Sequence, residues 1–265
     1  RAAVPRIAGH LGRPAPRDPR WRTHQGRQAV LDLTRYQVNG PVAAGEIDII
    51  SGGAITSAAL YALLRMPAVT ASLRIIDPDV LTLPNYNRYA LARRSMLGSP
   101  KVHALAAWET SSITITGHQR RLDETTATRL GPLAPRLLVG VDHIPSRWTA
   151  QRAAPGSWIC VGASSHDYVL VSAHPPGAAC AGCVHTRDDQ APGDIPTVSF
   201  VSFWAGLLQA LELLASAAGR SPASARSTHL WPFGLENPRG IHHFAQAPAA
   251  RCPVGCPAST ARRPA

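Results

Sequence analysis

Four of the five cysteines in this sequence fall in two close pairs, Cys180-x-x-Cys183 and Cys252-x-x-x-Cys256, with 68 residues between the pairs. Two such pairs can place four thiolates tetrahedrally around Zn²⁺. A redox Cys-x-x-Cys couple and structural disulfides are the alternatives. Redox pairs open a helix after a strand, whereas Cys180 and Cys183 lie in a run rich in Pro, Gly and Ala. No apolar leader is visible at the start, so disulfides are disfavoured and structural zinc is the favoured reading. A second candidate is Ser51-Gly52-Gly53-Ala54, between a strand-type and a helix-type run. A Gly-rich turn there lets backbone N–H groups approach phosphates at the positive end of a helix. Asp77 lies 24 residues after Gly53, at the end of the next apolar run. A carboxylate so placed accepts hydrogen bonds from ribose hydroxyls, or caps a turn. Lys101 is the only lysine beside 26 arginines. Such a bias reflects codon composition, yet an ammonium and a guanidinium are not interchangeable as phosphate ligands.

The elements that must position these residues follow from periodicity. Strands are expected over Ile47–Ile50, Leu73–Ile76, Ile113–Ile115, Leu137–Val141, Trp158–Ala163 and Tyr168–Ser172. Helices are expected over Ile55–Met66, Lys101–Thr110 and Phe200–Ala218, and Ala217–Pro238 reads as an irregular excursion. Alternating strands and helices imply an α/β fold, Rossmann-like, with a mainly parallel sheet and helices on both faces. Ligands of such sheets bind at the carboxyl ends of the strands, where Ser51–Gly53, Asp77 and Asp142 all fall. Cys160 reads as a small core residue.

The chain has 265 residues, 45% hydrophobic and 16% charged, which excludes a disordered chain and a coiled coil. The longest apolar run, Phe200–Ala218, is interrupted by Ser202, Gln209 and Glu212, so no membrane-spanning segment is expected. The net charge of +11 is concentrated at the ends. Residues 1–35 carry eight Arg against two Asp, residues 239–265 carry four Arg and no acid, and the stretch between is nearly neutral. Nothing resembles a groove-reading motif, and nucleic acid is not the expected partner. Three segments result: an irregular basic arm over 1–30, one domain over 31–257 and a flexible tail over 258–265.

The stretch after Asp77 is the most specific. It reads Asp77-Pro78-Asp79-Val80, then Asn85-Tyr86-Asn87-Arg88, then Gly98-Ser99-Pro100-Lys101. Downstream come Asp142-His143-Ile144-Pro145-Ser146-Arg147 and the two cysteine pairs. This order resembles the ThiF/MoeB/HesA superfamily, the adenylating domain shared with the ubiquitin-activating enzymes, over roughly residues 45–257. The resemblance implies ATP-dependent adenylation of the C-terminal carboxylate of a ubiquitin-like or sulfur-carrier protein, or of a small peptide, in a cytoplasmic homodimer. It implies that Arg88 and Lys101 neutralise the triphosphate, Asn85 orients it and Asp142 holds Mg²⁺. Gly53, Ala54, Asp77 and His143 would complete the nucleotide site, and Cys180, Cys183, Cys252 and Cys256 the zinc site that tethers the C-terminal segment.

Departures from the family pattern suggest an alternative. Ser51, Ala54 and Thr56 stand where the family loop has glycine, and His143 stands where it has Asn. The family's N-terminal Arg has a rough match in Arg35-Tyr36. Val184–Ser199 holds no cysteine, so transfer through a thioester or persulfide is not expected and the reaction would stop at the acyl adenylate. The alternative reading is a non-catalytic ThiF-like scaffold that binds a peptide or protein.

Overall fold

Ile47, Ile49, Leu73, Ile75, Leu137 and Ile159 are almost completely buried. Near-continuous apolar runs of this kind belong to parallel strands covered on both faces. The computed structural model describes residues 40–187, 198–231 and 241–257. Its eight strands are β1 (Val42–Ile50), β2 (Val69–Ile76), β3 (Ile113–His118), β4 (Arg136–Val139), β5 (Trp158–Ser164), β6 (Val169–His174), β7 (Arg226–Leu230) and β8 (Ile241–Ala245). They form one sheet in the order β3-β2-β1-β4-β5-β6-β7-β8. β1 pairs in parallel with β2 and β4, β2 with β3, and β4 with β5. The last three pairings are antiparallel. The sheet is therefore mixed, with a parallel half that carries the strand ends of interest.

The helices are α1 (Ala54–Leu63), α2 (Lys101–Ala106), α3 (Glu124–Leu130), α4 (Ile144–Ala153), α5 (Ala181–Val184) and α6 (Ser199–Ala217). One core unites Ile55 and Leu60 of α1, Val102 of α2 and Leu208 of α6 with Ile49, Leu73 and Leu138 of the sheet. A second core, on the opposite face, joins Ile50, Ile76, Leu137 and Ile159 to Ala150 of α4 and Ala181 of α5. Helices thus cover both faces, as the sequence implies.

α6 is long and apolar enough to cross a membrane, but here it is the central core helix. The three polar residues that interrupt it each have a partner. Ser202 Oγ lies 3.2 Å from Ser164 Oγ, and Gln209 Nε2 donates to the carbonyls of Val139 (3.0 Å) and Cys160 (3.1 Å). Glu212 pairs with Arg226 of β7, whose Nε donates at 3.1 Å.

Three sequence expectations change. β7 and the start of β8 lie where, or just beyond where, Ala217–Pro238 was expected to be irregular. β7 shows no apolar alternation, and its buried polar residues pair within the strand and with β8: Ser227 Oγ with His229 Nε2 (2.7 Å) and Thr228 Oγ1 with His243 Nδ1 of β8 (2.8 Å). α2 ends at Ala106 rather than Thr110, because Trp108 Nε1 donates to the Leu91 carbonyl (2.9 Å) and Glu109 accepts from the Ile115 amide (2.9 Å). The fourth strand stops at Val139, where Gly140 N donates to Ile50 O (2.9 Å). The 1–30 arm, Arg35-Tyr36 and the 258–265 tail lie outside the described residues.

α1 and α6 approach closely at Gly206. A Cβ there would fall 2.3 Å from the Ile55 carbonyl oxygen and 2.5 Å from Ala58 Cβ, both on α1. Since α1 carries the Ser51–Gly53 turn at its start, this contact fixes the loop. Gly206→Ala is expected to lower stability by about 2–3 kcal/mol through overpacking, read as a lower midpoint in urea denaturation.

Candidate functional site

β1 and β2 run side by side and finish together, with Ile50 opposite Ile76. The turn after β1 begins at Ser51, which adopts φ +96, a region in which a side chain is strained. Gly53 then caps α1. The turn's donors are already engaged. Gly52 N donates to Asp77 Oδ2 (2.7 Å) and Gly53 N to Ser51 Oγ (3.1 Å). Gly52 packs closely on α2, since a Cβ there would sit 3.2 Å from Lys101 Cβ and 3.4 Å from Leu105 Cδ1.

Asp77 is buried and also accepts from Asp79 N through Oδ1 (2.8 Å). Each oxygen thus holds one backbone donor and keeps a lone pair free. Burial is the larger influence and pushes the Asp77 carboxyl pKa up, while Lys101 and the two amides pull against it. Both the cap reading and the ribose reading of this residue remain compatible with its geometry.

Lys101 opens α2 with a side chain only 11% exposed, and its Nζ pairs with Asp79 Oδ2 at 2.8 Å. Burial opposes its charge, but Tyr89, Asp79 and Asp77 outweigh burial and hold the ammonium above the usual lysine pKa. Tyr89, which the sequence reading did not single out, is a ring near both candidate cations. Lys101 Nζ and Arg88 Cζ each lie 5.8 Å from its centroid. Gly52, Ser57, Tyr89, Leu91 and Lys101 line a cavity of about 10 Å³, a volume on the order of one water. Ser57 anchors the segment that carries these groups, its Oγ accepting from the buried Leu91 amide (2.9 Å).

Asn85 and Arg88 are partly exposed on this excursion. Asn85 Oδ1 closes a 3₁₀ turn by accepting from Thr82 N (3.0 Å) and Thr82 Oγ1 (2.9 Å). Arg88 donates to the Pro84 carbonyl (2.7 Å) and Asn87 Oδ1 (3.0 Å). Asp142 is exposed beyond β4 and accepts from the His143 amide (2.8 Å), while His143 Nδ1 meets Ser146 Oγ (3.0 Å). Gly140 brings this end against the turn, since a Cβ there would lie 3.2 Å from Thr56 Oγ1 of α1. Gly53, Ala54, Asp77, Lys101 and Asp142 therefore gather around the ends of three neighbouring strands.

The four paired cysteines form a separate cluster. Cys180 Sγ lies 3.4 Å from Cys252 Sγ and 3.9 Å from Cys183 Sγ, and Cys183 Sγ lies 3.5 Å from Cys256 Sγ. All four sulfurs lie within 4.8 Å of one another. A four-thiol set at this spacing can chelate a metal ion, because a divalent cation offsets the repulsion between thiolates. Cys180 caps the one-turn helix α5, so the pair sits at a helix start and not in the loop read from its composition. Two further thiols at contact distance nonetheless set it apart from a two-cysteine redox motif. Gly182 gives the second pair room: a Cβ would fall 2.6 Å from Val254 Cγ2.

A Gly turn, a strand-end carboxylate, a part-buried lysine and a four-cysteine cluster thus belong to one mixed, Rossmann-like α/β fold. The ThiF family model matches residues 42–254, and the chain belongs to the ThiF family. The uncharacterized protein y4jF of Sinorhizobium fredii is 30% identical over 169 residues, 58% of this chain and 32% of that protein. The chain thus spans about a third of the length of the curated relative it matches. Among solved structures, E. coli MccB with AMPCPP and MccA superposes with a TM-score of 0.65 at 17% identity, covering 79% of this chain and 66% of that one. E. coli MccB with ATP gives 0.63 at 17% identity with the same coverage. This likeness is one of fold.

Ser51 generates a direct test. Ser51→Gly removes both the side chain at positive φ and the hydroxyl that occupies the Gly53 amide. Relief of strain and added chain entropy oppose each other, so thermal unfolding should show a change under about 1 kcal/mol. Equilibrium titration with ATP·Mg²⁺ should show several-fold tighter binding, because the freed amide can face phosphate.

Proposed function

We propose that the chain adenylates the C-terminal carboxylate of a ubiquitin-like or sulfur-carrier protein, or of a small peptide, and stops at the acyl adenylate. The observation that carries this reading is the part-buried Lys101 beside the Gly52–Gly53 turn and Asp77 in a ThiF-family chain. Support also comes from the solved E. coli MccB structures that hold ATP, or AMPCPP together with MccA.

In the reaction a carboxylate oxygen attacks the α-phosphorus of ATP, and the bond from that phosphorus to the β-phosphate oxygen breaks. Pyrophosphate leaves with the electron pair. Negative charge builds on the phosphoryl oxygens, so preorganised cations contribute most to lowering the barrier. Lys101 and Arg88, both near the Tyr89 ring, would neutralise the triphosphate, and Asn85 would orient it. Asp77 would accept from the ribose hydroxyls with its free lone pairs. Gly53, Ala54 and His143 would border the nucleotide. Mg²⁺, when bound, adds positive charge at the phosphates, and Asp142 is its proposed ligand. The adenylating unit would be residues 31–257, working as a cytoplasmic homodimer, with Zn²⁺ held by Cys180, Cys183, Cys252 and Cys256.

A second reading, a non-catalytic scaffold, is favoured by one feature: Ser51 Oγ occupies the Gly53 amide that a phosphate would use. ATP–pyrophosphate exchange in the presence of carrier peptides with a free C-terminal carboxylate decides between the two. Adenylation requires peptide-dependent exchange. The absence of both exchange and ATP binding would falsify it.

Two expectations accompany this reading. Lys101→Ala should cost about 2–4 kcal/mol of transition-state stabilisation, seen as a fall in exchange rate, and Lys101→Arg should restore only part. Metal analysis of the purified chain should find about one Zn²⁺. Cys252→Ser should lose it, with a fall in thermal stability that added zinc does not reverse.

A further inference from the structure

Asp142 stands just before α4, and four residues of that helix are tied to the segments that carry the cysteine cluster. Arg147 NH1 meets His185 Nδ1 at 3.1 Å, and Trp148 Nε1 donates to the His185 carbonyl at 2.7 Å. One turn further along, Gln151 Oε1 accepts from Ala181 N (3.0 Å), the amide next to Cys180. Arg152 NH2 then donates to the carbonyl of Pro253 (3.2 Å), between Cys252 and Cys256.

The buried Arg147 guanidinium is the centre of this set. Besides His185, it donates through Nε to the Val141 carbonyl (3.0 Å) and through NH2 to the Asp142 carbonyl (3.1 Å). One rigid planar group thus grips the two consecutive carbonyls that fix the backbone at Asp142. His185 in turn follows Cys183 by two residues, and its amide donates to Ala181 O (2.9 Å) within the turn that presents both Cys180 and Cys183. An arginine has only donors, so His185 Nδ1 is the acceptor that holds the fork in place.

We infer that the four-cysteine cluster positions Asp142 through His185 and Arg147. The cluster is then more than a tether for the C-terminal segment: with a metal bound, it sets the α5 turn, which sets the guanidinium, which sets the backbone of the proposed Mg²⁺ ligand. His185 and Arg147 are positioning residues. The nucleotide part of this inference rests on the adenylation reading, whereas the mechanical part does not.

Hydrogen–deuterium exchange on the full chain tests the mechanical part. In His185→Ala, with zinc content still about one per chain, the amides of residues 141–147 should exchange at least tenfold faster than in wild type. His185→Asn, whose side-chain carbonyl can replace Nδ1 as acceptor, should recover most of the protection. Removal of metal from the wild type with a chelator should accelerate the same segment, and this arm serves if His185→Ala does not fold. Unchanged exchange over 141–147 in His185→Ala overturns the inference. So does a chelator effect confined to residues 180–185 and 252–256.

Nucleotide titration separates the two layers. The Mg²⁺ concentration for half-maximal ATP binding should rise threefold or more in His185→Ala, with Mg²⁺-free ATP affinity unchanged. A purely structural role would weaken both together, and that result counts against positioning. If the wild type binds no ATP while the exchange coupling is present, the adenylation reading falls and the coupling stands.

Discussion

A carboxylate almost sealed from water joins the ends of two strands. Asp77 takes the amide of Gly52 on one oxygen and that of Asp79 on the other, so β1, β2 and the excursion after β2 meet at one group. Desolvation works against its charge, and Lys101 and the two amides offset part of that effect. An acid buried this way is kept only where its hydrogen bonds are satisfied. Removing any one partner would leave a buried charge short of stabilisation. The turn, the excursion and the lysine are therefore a single cooperative unit rather than three independent motifs.

The two halves of the sheet are built on different physical terms. In the parallel half, apolar runs such as Ile49–Ile50 and Leu137–Val139 are buried on both faces, and the acid within β1, Asp48, is paired with Arg74 of β2 at 2.6 Å. That half was legible from the sequence for this reason. The antiparallel half is held by polar pairs: Arg226 with Glu212, Ser227 with His229, Thr228 with His243. A run such as Arg-Ser-Thr-His-Leu has the composition of a loop, and only the positions of its partners, distant in sequence, make it a strand. α3 was hidden differently. It has an Asp123 cap but no buried residue, so no apolar period marks it.

The site shows the same division. Motif order along the chain singles out Asp77, Asn85, Arg88, Lys101, Asp142 and the cysteines as candidates, because each has a distinctive chemical type. Tyr89, Ser57, Gly140 and Gly206 were not found, since their work is contact: a ring near two cations, a hydroxyl under an amide, two glycines at close approaches. Nothing in residue type alone separates such glycines or that serine from ordinary ones. The grouping of four sulfurs within 4.8 Å, by contrast, follows directly from the pairs.

The isolation of Lys101 among 26 arginines has a practical side. Within this sequence it carries the only side-chain primary amine, and it is shielded and ion-paired, with its proton held more tightly than in a free lysine. General amine acylating reagents should react with it slowly. Cleavage by a lysine-specific protease would also cut this sequence at one position, in two fragments that divide the Gly turn from the cysteine cluster. The same bias that leaves one ammonium at the strand ends makes that ammonium a unique chemical address.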